Sequence, residues 1–224
     1  MPDKGESRLT DLTQGETRMG PIGRRSMIIG SAALALAACN PGGGANVDVS
    51  QDMSLGSADA KVTVIEYVSP TCPHCASWYK EVFPGFKAKY IDTNKVRYVM
   101  REAPIHGAVD YAVFMLARCA GKERYFNIVD GAWNSLPEFM ADPSQQRSWI
   151  MRLGASAGMS EAETNACITD EKKLEAMNAR VEKQMQEFNS IQYTPTFIIN
   201  GKKLESPAPP TLAELSAQID PLLR

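Results

Sequence analysis

The run VTVIEYVS at residues 62–69 is followed, after two residues, by the motif Cys-Pro-His-Cys at 72–75. Its β-branched and aromatic residues predict a buried β-strand. Beyond the motif, aromatic and aliphatic residues recur at steps of three and four from Trp78 to Tyr90, which predicts an amphipathic helix. VRYVM at 96–100 predicts a second strand. Strand, helix and strand in this order form a right-handed βαβ unit, so this stretch alone requires a pair of parallel strands.

The rest of the chain divides into a helical part and a second α/β part. Apolar stripes predict several helices between residues 105 and 189. Strand-forming residues then return, the pair Asn200-Gly201 predicts a hairpin turn, and a closing amphipathic helix follows. The predicted fold class is therefore α/β, with residues 53–104 and 190–224 forming the layer and 105–189 an all-helical insertion.

Residues 1–38 are typical of an export signal. Arg24-Arg25 precede the run SMIIGSAALALAA, which reaches about 20 Å as a helix and is too short for a hydrocarbon core of about 30 Å. The arginine pair is compatible with both the Sec route and the twin-arginine route of export. The run ends in LAAC, which resembles the lipobox of bacterial lipoproteins, so we expect Cys39 to carry lipid; cleavage after an Ala-x-Ala sequence would instead leave a spare thiol. Residues 39–52 contain Gly and Pro and predict a flexible tether.

Composition and charge exclude some functions. The chain has 24 Lys and Arg against 26 Asp and Glu, without basic clusters, so it offers no electrostatic footprint for nucleic acid. A hydrophobic share of 44% in 224 residues supports one well-filled core. Export implies an oxidising compartment, in which disulfides persist.

The Cys-Pro-His-Cys motif is suited to thiol–disulfide exchange. Pro73 fits the first position of a helix, where its missing N–H costs nothing, and this places Cys72 at the N-cap. The free N–H groups of a helix N-terminus stabilise a thiolate at Cys72, and His74 is expected to add to this as an imidazolium or N–H donor. Cys75, one turn further in, is expected to be more buried and less acidic.

The other uses of two close cysteines are a metal site and a structural disulfide. A zinc site usually needs a second Cys-x-x-Cys or a pair of histidines, whereas this chain has only His74 and His106. A structural disulfide that closes four residues constrains the unfolded chain little. We therefore expect no bound metal and no cofactor, and we assign no role to His106.

These residues resemble a known family. A strand, Cys-Pro-His-Cys, a helix, a strand, a helical insertion and then Thr194-Pro195 before a hairpin look like the DsbA-like thiol–disulfide oxidoreductases of the thioredoxin superfamily, over residues 53–222. The resemblance implies a thioredoxin-like fold with a helical insertion. It also implies that Cys72 is the nucleophile, that Cys75 resolves the mixed disulfide, and that Pro195 is a cis-proline beside a Thr194 backbone that pairs with an extended substrate.

The resemblance implies two further sites. Glu66 lies on the strand before the motif, where the family has a buried acid that assists proton transfer at the resolving cysteine; a half-buried strand that exposes Glu66 is the alternative. Pairing within the motif leaves Cys119 with Cys167, and related bacterial proteins have a second, structural disulfide. Two free buried thiols are the alternative for that pair.

The sequence therefore predicts an exported, periplasmic oxidase, anchored by lipid at Cys39 and monomeric. Its expected partners are reduced or unfolded exported proteins with cysteines and a quinone-linked membrane oxidase of the DsbB type. A disulfide isomerase or reductase stays open, because threonine before the cis-proline also occurs in such proteins, although residues 40–52 are too short for the dimerisation module of the isomerases. A thiol-based metal carrier and a chaperone or binding module that reuses the fold are the alternatives outside this class.

Overall fold

The computed structural model describes residues 48–224. Five strands form one sheet in the order β1-β3-β2-β4-β5. The strands are β1 (Met53–Leu55), β2 (Val62–Val68), β3 (Val96–Glu102), β4 (Thr196–Ile199) and β5 (Lys202–Lys203). Strands β2 and β3 are parallel and the other neighbours are antiparallel, so the sheet contains the parallel pair that the sequence predicts.

The connection between β2 and β3 is helical, which confirms the βαβ unit. It consists of α1 (Pro73–Glu81), α2 (Phe83–Phe86) and a wider helical turn at Lys87–Ile91. The helix breaks between α1 and α2, next to Pro84, whose ring cannot donate a helical hydrogen bond. Tyr90 and Trp78 are buried against the sheet, so the amphipathic pattern corresponds to one buried face.

Six helices lie between β3 and β4, which confirms the all-helical insertion. They are α3 (Ala108–Cys119), α4 (Lys122–Asn134), α5 (Leu136–Ala141), α6 (Gln146–Ser156), α7 (Glu161–Ile168) and α8 (Glu171–Gln186). Helix α7 begins with a capping box in which Ser160 and Glu163 exchange hydrogen bonds with each other's backbone N–H. After β5 the chain closes with α9 (Leu212–Ile219).

A disulfide joins α3 to α7 through Cys119 and Cys167, whose Cα atoms are 6.4 Å apart. We expect replacement of both cysteines by alanine to lower the free energy of unfolding by about 2–4 kcal/mol, because the bond closes a long loop in the unfolded chain. Urea unfolding of the two proteins without reductant measures the difference. The same substitutions compared under full reduction are the control, since that difference should then nearly vanish.

The hairpin between β4 and β5 turns at Asn200 and Gly201, which have φ of 45° and 80°. Positive φ at both central positions is the requirement of the tight hairpin turn that the sequence predicts. The Asn200 side chain also accepts a hydrogen bond from the Thr63 backbone N–H at 2.8 Å, so the turn is attached to the start of β2.

The two faces of the sheet have different neighbours. Val64 and Val68 of β2 belong to the large core that contains α1 and most of the helical insertion. Ile65 and Tyr67 point to the opposite face and belong to a small cluster with Ile191 and Ile198. Because side chains alternate along a strand, Glu66 points towards the large core and α1.

The chain before β1 corrects one prediction. The sequence predicts a flexible tether over residues 39–52, but Asp52 is buried and binds the Arg101 side chain at 2.9 Å. Arg101 also donates to the backbone oxygen of Asp48, so residues 48–52 pack against the sheet. The signal at 1–38, Cys39 and the first part of the tether lie outside the described residues. No helix within residues 48–224 is long and apolar enough to span a bilayer.

Candidate active site

Cys72 lies where β2 meets α1, at the carboxyl end of a central strand. It is the N-cap of α1, and Pro73 occupies the first helical position. The Cys72 Sγ atom accepts a hydrogen bond from the Cys75 backbone N–H at 3.4 Å, in the manner of a side-chain cap. Ser69 supports the turn, since its backbone oxygen accepts the Cys72 N–H at 3.3 Å.

The surroundings of Cys72 favour its thiolate. The hydrogen bond from the Cys75 thiol is the largest cause that lowers the pKa of Cys72, from 9.0 to about 5, although burial acts in the opposite direction. Thr194 and the backbone N–H groups of Cys75 and His74 contribute further hydrogen bonds. Each of these groups donates to a charged sulfur more strongly than to a neutral one, so together they outweigh the desolvation of the thiolate.

The imidazole of His74 is not among these donors. Its residue is exposed, and within residues 48–224 no hydrogen bond joins the ring to Cys72. Stabilisation of the thiolate by the imidazole therefore stays a prediction, and the contribution seen here is that of the His74 backbone N–H, which lowers the pKa of Cys72. Pro73 is also exposed, so both residues between the cysteines are accessible from outside.

The environment of Cys75 favours its neutral thiol. Its side chain is fully buried, and both cysteines of the motif are free thiols. Burial raises the pKa of Cys75 well above 9.0, and the neighbouring Cys72 and Glu66 add to the increase. The motif therefore pairs an acidic, helix-capping thiol with a buried thiol that holds its proton.

The segment before β4 brings Thr194 and Pro195 to the motif. The peptide bond between them is cis. Cys72 Sγ donates to the Thr194 backbone oxygen at 3.3 Å, across 122 positions of sequence. The Thr194 hydroxyl is buried, and the Thr194 side chain is among the groups that lower the pKa of Cys72.

Glu66 is fully buried beneath the motif, so the alternative of an exposed strand residue is wrong. The Tyr98 hydroxyl donates to Glu66 Oε2 at 2.5 Å, whereas Oε1 has no partner among the described residues. Burial is the largest cause that raises the pKa of Glu66 from 4.5 to about 8; Tyr98 lowers it and Cys72 raises it. The carboxyl group can therefore accept or release a proton near neutral pH.

A polar network that the sequence did not indicate supports the turn before Cys72. Asp110, fully buried in the first turn of α3, accepts hydrogen bonds from the Thr71 hydroxyl at 2.6 Å and the Ser69 hydroxyl at 2.8 Å. Its third donor is the backbone N–H of His106, at 3.0 Å. The His106 ring lies 2.8 Å from the Ser69 hydroxyl, so this histidine contacts the turn, a contact that the sequence does not predict.

Comparison with known proteins agrees with this geometry. A family model described as "Thioredoxin" matches residues 48–221. The crystal structure of Wolbachia pipientis α-DsbA1 is similar, with a TM-score of 0.71 and 28% identity over 80% of this chain and 94% of that one. The chain belongs to the DsbA-like branch of the thioredoxin family. The predicted thioredoxin-like fold with a helical insertion is thereby confirmed.

Curated relatives of this DsbA-like chain include the "Putative protein-disulfide oxidoreductase" of Rickettsia bellii, 35% identical over 169 residues, which are 75% of this chain. The match covers only 63% of that relative's own length. The disulfide bond formation protein D of Bacillus subtilis is 26% identical over 68% of this chain and 69% of its own.

Sequence reasoning missed Tyr98 and Asp110 among the residues of this DsbA-like site. Tyr98 lies on the second predicted strand of the βαβ unit, so alternation of side chains predicts which face of the sheet it occupies. The register of that strand against the one carrying Glu66 decided the contact, and the sequence did not provide it. Asp110 had no local signal, since an acidic residue in the first turn of a helix is ordinary.

Proposed function

We propose that the protein introduces disulfides into reduced substrate proteins by thiol–disulfide exchange at Cys72. The observation that carries the proposal is the contrast within the motif. Cys72 has a pKa lowered to about 5, whereas burial raises the pKa of Cys75 well above 9.0. A thiolate that is stable at neutral pH is a good leaving group, so the disulfide form of the pair acts as an oxidant.

In the proposed reaction a substrate thiolate attacks Cys72 Sγ of the oxidised pair. The Cys72–Cys75 bond breaks, its electron pair goes to Cys75, and a mixed disulfide forms at Cys72. A second substrate thiolate then attacks the substrate sulfur of the mixed disulfide, and Cys72 leaves as a thiolate. The substrate has lost two electrons to the cysteine pair, which a disulfide-bearing partner must re-oxidise.

Glu66 has a proton-transfer role in this proposal. Cys75 leaves as a buried thiolate, a form that burial disfavours, and it takes the proton of the Glu66 carboxyl group. During re-oxidation Cys72 first forms a mixed disulfide with the oxidising partner. Cys75 then loses its proton to ionised Glu66 and attacks Cys72 Sγ, and the partner's sulfur leaves as a thiolate. Pro195 follows Thr194 beside Cys72, and the Thr194 backbone would pair with the extended backbone of the substrate.

The proposed substrates are reduced, cysteine-containing exported proteins, and the proposed re-oxidising partner is a quinone-linked membrane protein of the DsbB type. The names of the relatives, which refer to protein-disulfide oxidoreductase activity and to disulfide bond formation, support this reading. A periplasmic location and lipid at Cys39 belong to the same proposal. They rest on the sequence of residues 1–39 alone.

The test is oxidative refolding of reduced, unfolded ribonuclease with glutathione disulfide as terminal oxidant. We expect the wild-type protein to accelerate the return of ribonuclease activity and the Cys72→Ser variant to lose that acceleration entirely. The Cys75→Ser variant should accumulate a mixed disulfide at Cys72, which non-reducing electrophoresis detects. A Cys72→Ser variant that still accelerates the return of ribonuclease activity would refute thiol–disulfide exchange at Cys72 and favour a chaperone or binding module.

The reduction potential decides the direction of electron flow. Because the pKa of Cys72 lies two units below pH 7, we expect a potential about 60 mV less negative than the ~−270 mV of thioredoxin, at ~30 mV per unit. Equilibration with glutathione buffers measures it. A value near thioredoxin's would instead assign the protein to the isomerase or reductase class.

A further inference from the structure

We propose that Tyr98 is a positioning residue that fixes which oxygen of Glu66 exchanges the proton with Cys75. The phenol donates a hydrogen bond to Oε2, which favours Oε1 as the oxygen that gains and loses the proton. The catalytic consequence rests on the proposed function, whereas the effect on Glu66 itself does not.

The sheet register creates this contact. Glu66 of β2 pairs with Met100 of the parallel strand β3, and Tyr98 lies two residues earlier on β3, opposite Val64. Two residues along a strand is one full repeat, so Tyr98 and Glu66 project from the same face. Both side chains are fully buried, and the hydroxyl reaches Oε2 at 2.5 Å.

The phenol keeps the proton that it donates to Glu66. Burial raises the pKa of Tyr98 well above 10.0, and the Glu66 carboxylate adds to the increase. Tyr98 therefore keeps its proton over the whole range in which Glu66 titrates. In a neutral carboxyl group the carbonyl oxygen is the better acceptor, so a phenol O–H directed at Oε2 favours residence of the exchanged proton on Oε1.

Oε1 is the oxygen available to Cys75. It is buried without a hydrogen-bond partner among the described residues, a condition that native proteins usually avoid. A carboxyl oxygen kept free in this way can bond the Cys75 thiol once the sulfur moves during the cycle. Without Tyr98, the carboxyl group could turn and present either oxygen, and its ionised form would lose a donor.

Four titratable groups face the Glu66 carboxyl group. They are Tyr98 from β3, Tyr79 from α1, and the two thiols of the motif, Cys72 and Cys75. Burial raises the pKa of Tyr79 far above neutrality, so it also stays protonated. Cys72 is the only one of these four whose charge changes at mildly acidic pH, and it ionises well before Glu66 does.

The first experiment follows the side-chain carboxyl carbon of Glu66 by NMR across a pH titration of the reduced protein. We expect Tyr98→Phe to move the Glu66 midpoint upwards by about one pH unit, because an ionised carboxylate loses a hydrogen bond. Tyr125→Phe is the matched control, since it removes the same atom from a fully buried tyrosine that donates to another buried carboxylate, Glu102, at 3.1 Å. That control should leave the Glu66 midpoint unchanged.

The second experiment separates the two thiols kinetically. Ellman's reagent reacts first with Cys72, and attack by Cys75 then releases a second chromophore. We expect Tyr98→Phe to slow the second release about tenfold at pH 7 and to leave the first release unchanged. In a Glu66→Gln background Tyr98→Phe should have no further effect on the second release, because the group it positions is absent.

A Glu66 midpoint that does not move in Tyr98→Phe overturns the proposal, as does a slower second release that persists in the Glu66→Gln background. If the variant folds poorly, fluorotyrosine at position 98 gives an independent test. A more acidic phenol donates more strongly, so the midpoint should then fall; an unchanged or raised midpoint contradicts the proposal. The wild-type protein could fail to accelerate ribonuclease refolding while Tyr98→Phe still raises the Glu66 midpoint. That result would contradict only the proposed function.

Discussion

In its reduced form, the Glu66→Gln protein is expected to gain about 5 kcal/mol in free energy of unfolding between pH 5 and pH 9. The cause is Cys72, whose pKa falls from 9.0 in an unfolded chain to about 5 in the folded one. A group with a depressed folded pKa stabilises the protein fully above its unfolded pKa, and this stabilisation is lost as the pH falls to the folded pKa. The site is buried, so solvent screening reduces the effect little.

Glu66 makes the opposite contribution to the pH dependence of stability, so the contribution of Cys72 is measured in the Glu66→Gln background. The pKa of Glu66 rises from 4.5 to about 8 in the folded protein. A raised folded pKa gives stability that is fully present below pH 4.5 and is lost as the pH rises through 8. The reduced Cys72→Ser protein should therefore lose about 4 kcal/mol between pH 4.5 and pH 8, somewhat less than the pKa values alone imply because the Cys72 thiolate contributes to the increase.

The wild-type reduced protein contains both groups, and their opposing contributions should nearly cancel. Its stability is expected to depend on pH less than that of either variant. Urea unfolding in a phosphine reductant, repeated from pH 4.5 to pH 9, measures this. The difference between Glu66→Gln and Glu66→Gln/Cys72→Ser isolates the Cys72 contribution, since all other titrating groups are shared. A difference that stays flat with pH would mean that Cys72 is an ordinary thiol.

How much of the site could be predicted depends on whether its contacts are local in sequence. Cys72, Pro73 and Cys75 lie within one turn, so strand composition, helix periodicity and N-capping preferences place them correctly. The turn at Asn200 is predictable for the same reason. The fold class follows from the order of these local elements.

The contacts that adjust the site join distant segments and have no local signature. Tyr98 meets Glu66 only because one particular register pairs β2 with β3. Asp110 reaches Ser69 only because the helical insertion folds back over the motif. His74 is local to the motif, and the contact that it makes with the Cys72 sulfur is through its backbone N–H, while the residue itself is exposed.

Replacing Arg101 by methionine is expected to lower the free energy of unfolding by about 3–5 kcal/mol. Arg101 lies on β3, and its side chain is 0% exposed. Its guanidinium donates to Asp52 Oδ2 at 2.9 Å, to Glu187 Oε2 at 2.7 Å and to the Tyr67 hydroxyl at 2.8 Å. Methionine fills similar volume, so the expected loss comes from the charges that remain and not from a cavity.

Asp52 is the group that makes the substitution costly. Its side chain is 2% exposed, and besides Arg101 it has the Gln184 amide as a hydrogen-bond donor at 2.6 Å. Without the guanidinium, a buried carboxylate must either stay charged without a counter-ion or take up a proton. Arg101→Met/Asp52→Asn should therefore recover part of the stability that Arg101→Met loses, because the uncompensated charge is removed.

A surface ion pair provides the matched control for Arg101. Arg152 donates to Glu138 with side chains that are 52% and 62% exposed, so Arg152→Met should cost less than about 1 kcal/mol. Urea unfolding compares the variants at one pH. Equal losses for Arg101→Met and Arg152→Met, or no recovery in the Asp52→Asn double variant, would contradict the argument. A large loss of unfolding free energy in Arg101→Met but not in Arg152→Met would support the argument. The ion pair with Asp52 then holds the chain preceding β1 against the face of the sheet opposite the cysteines.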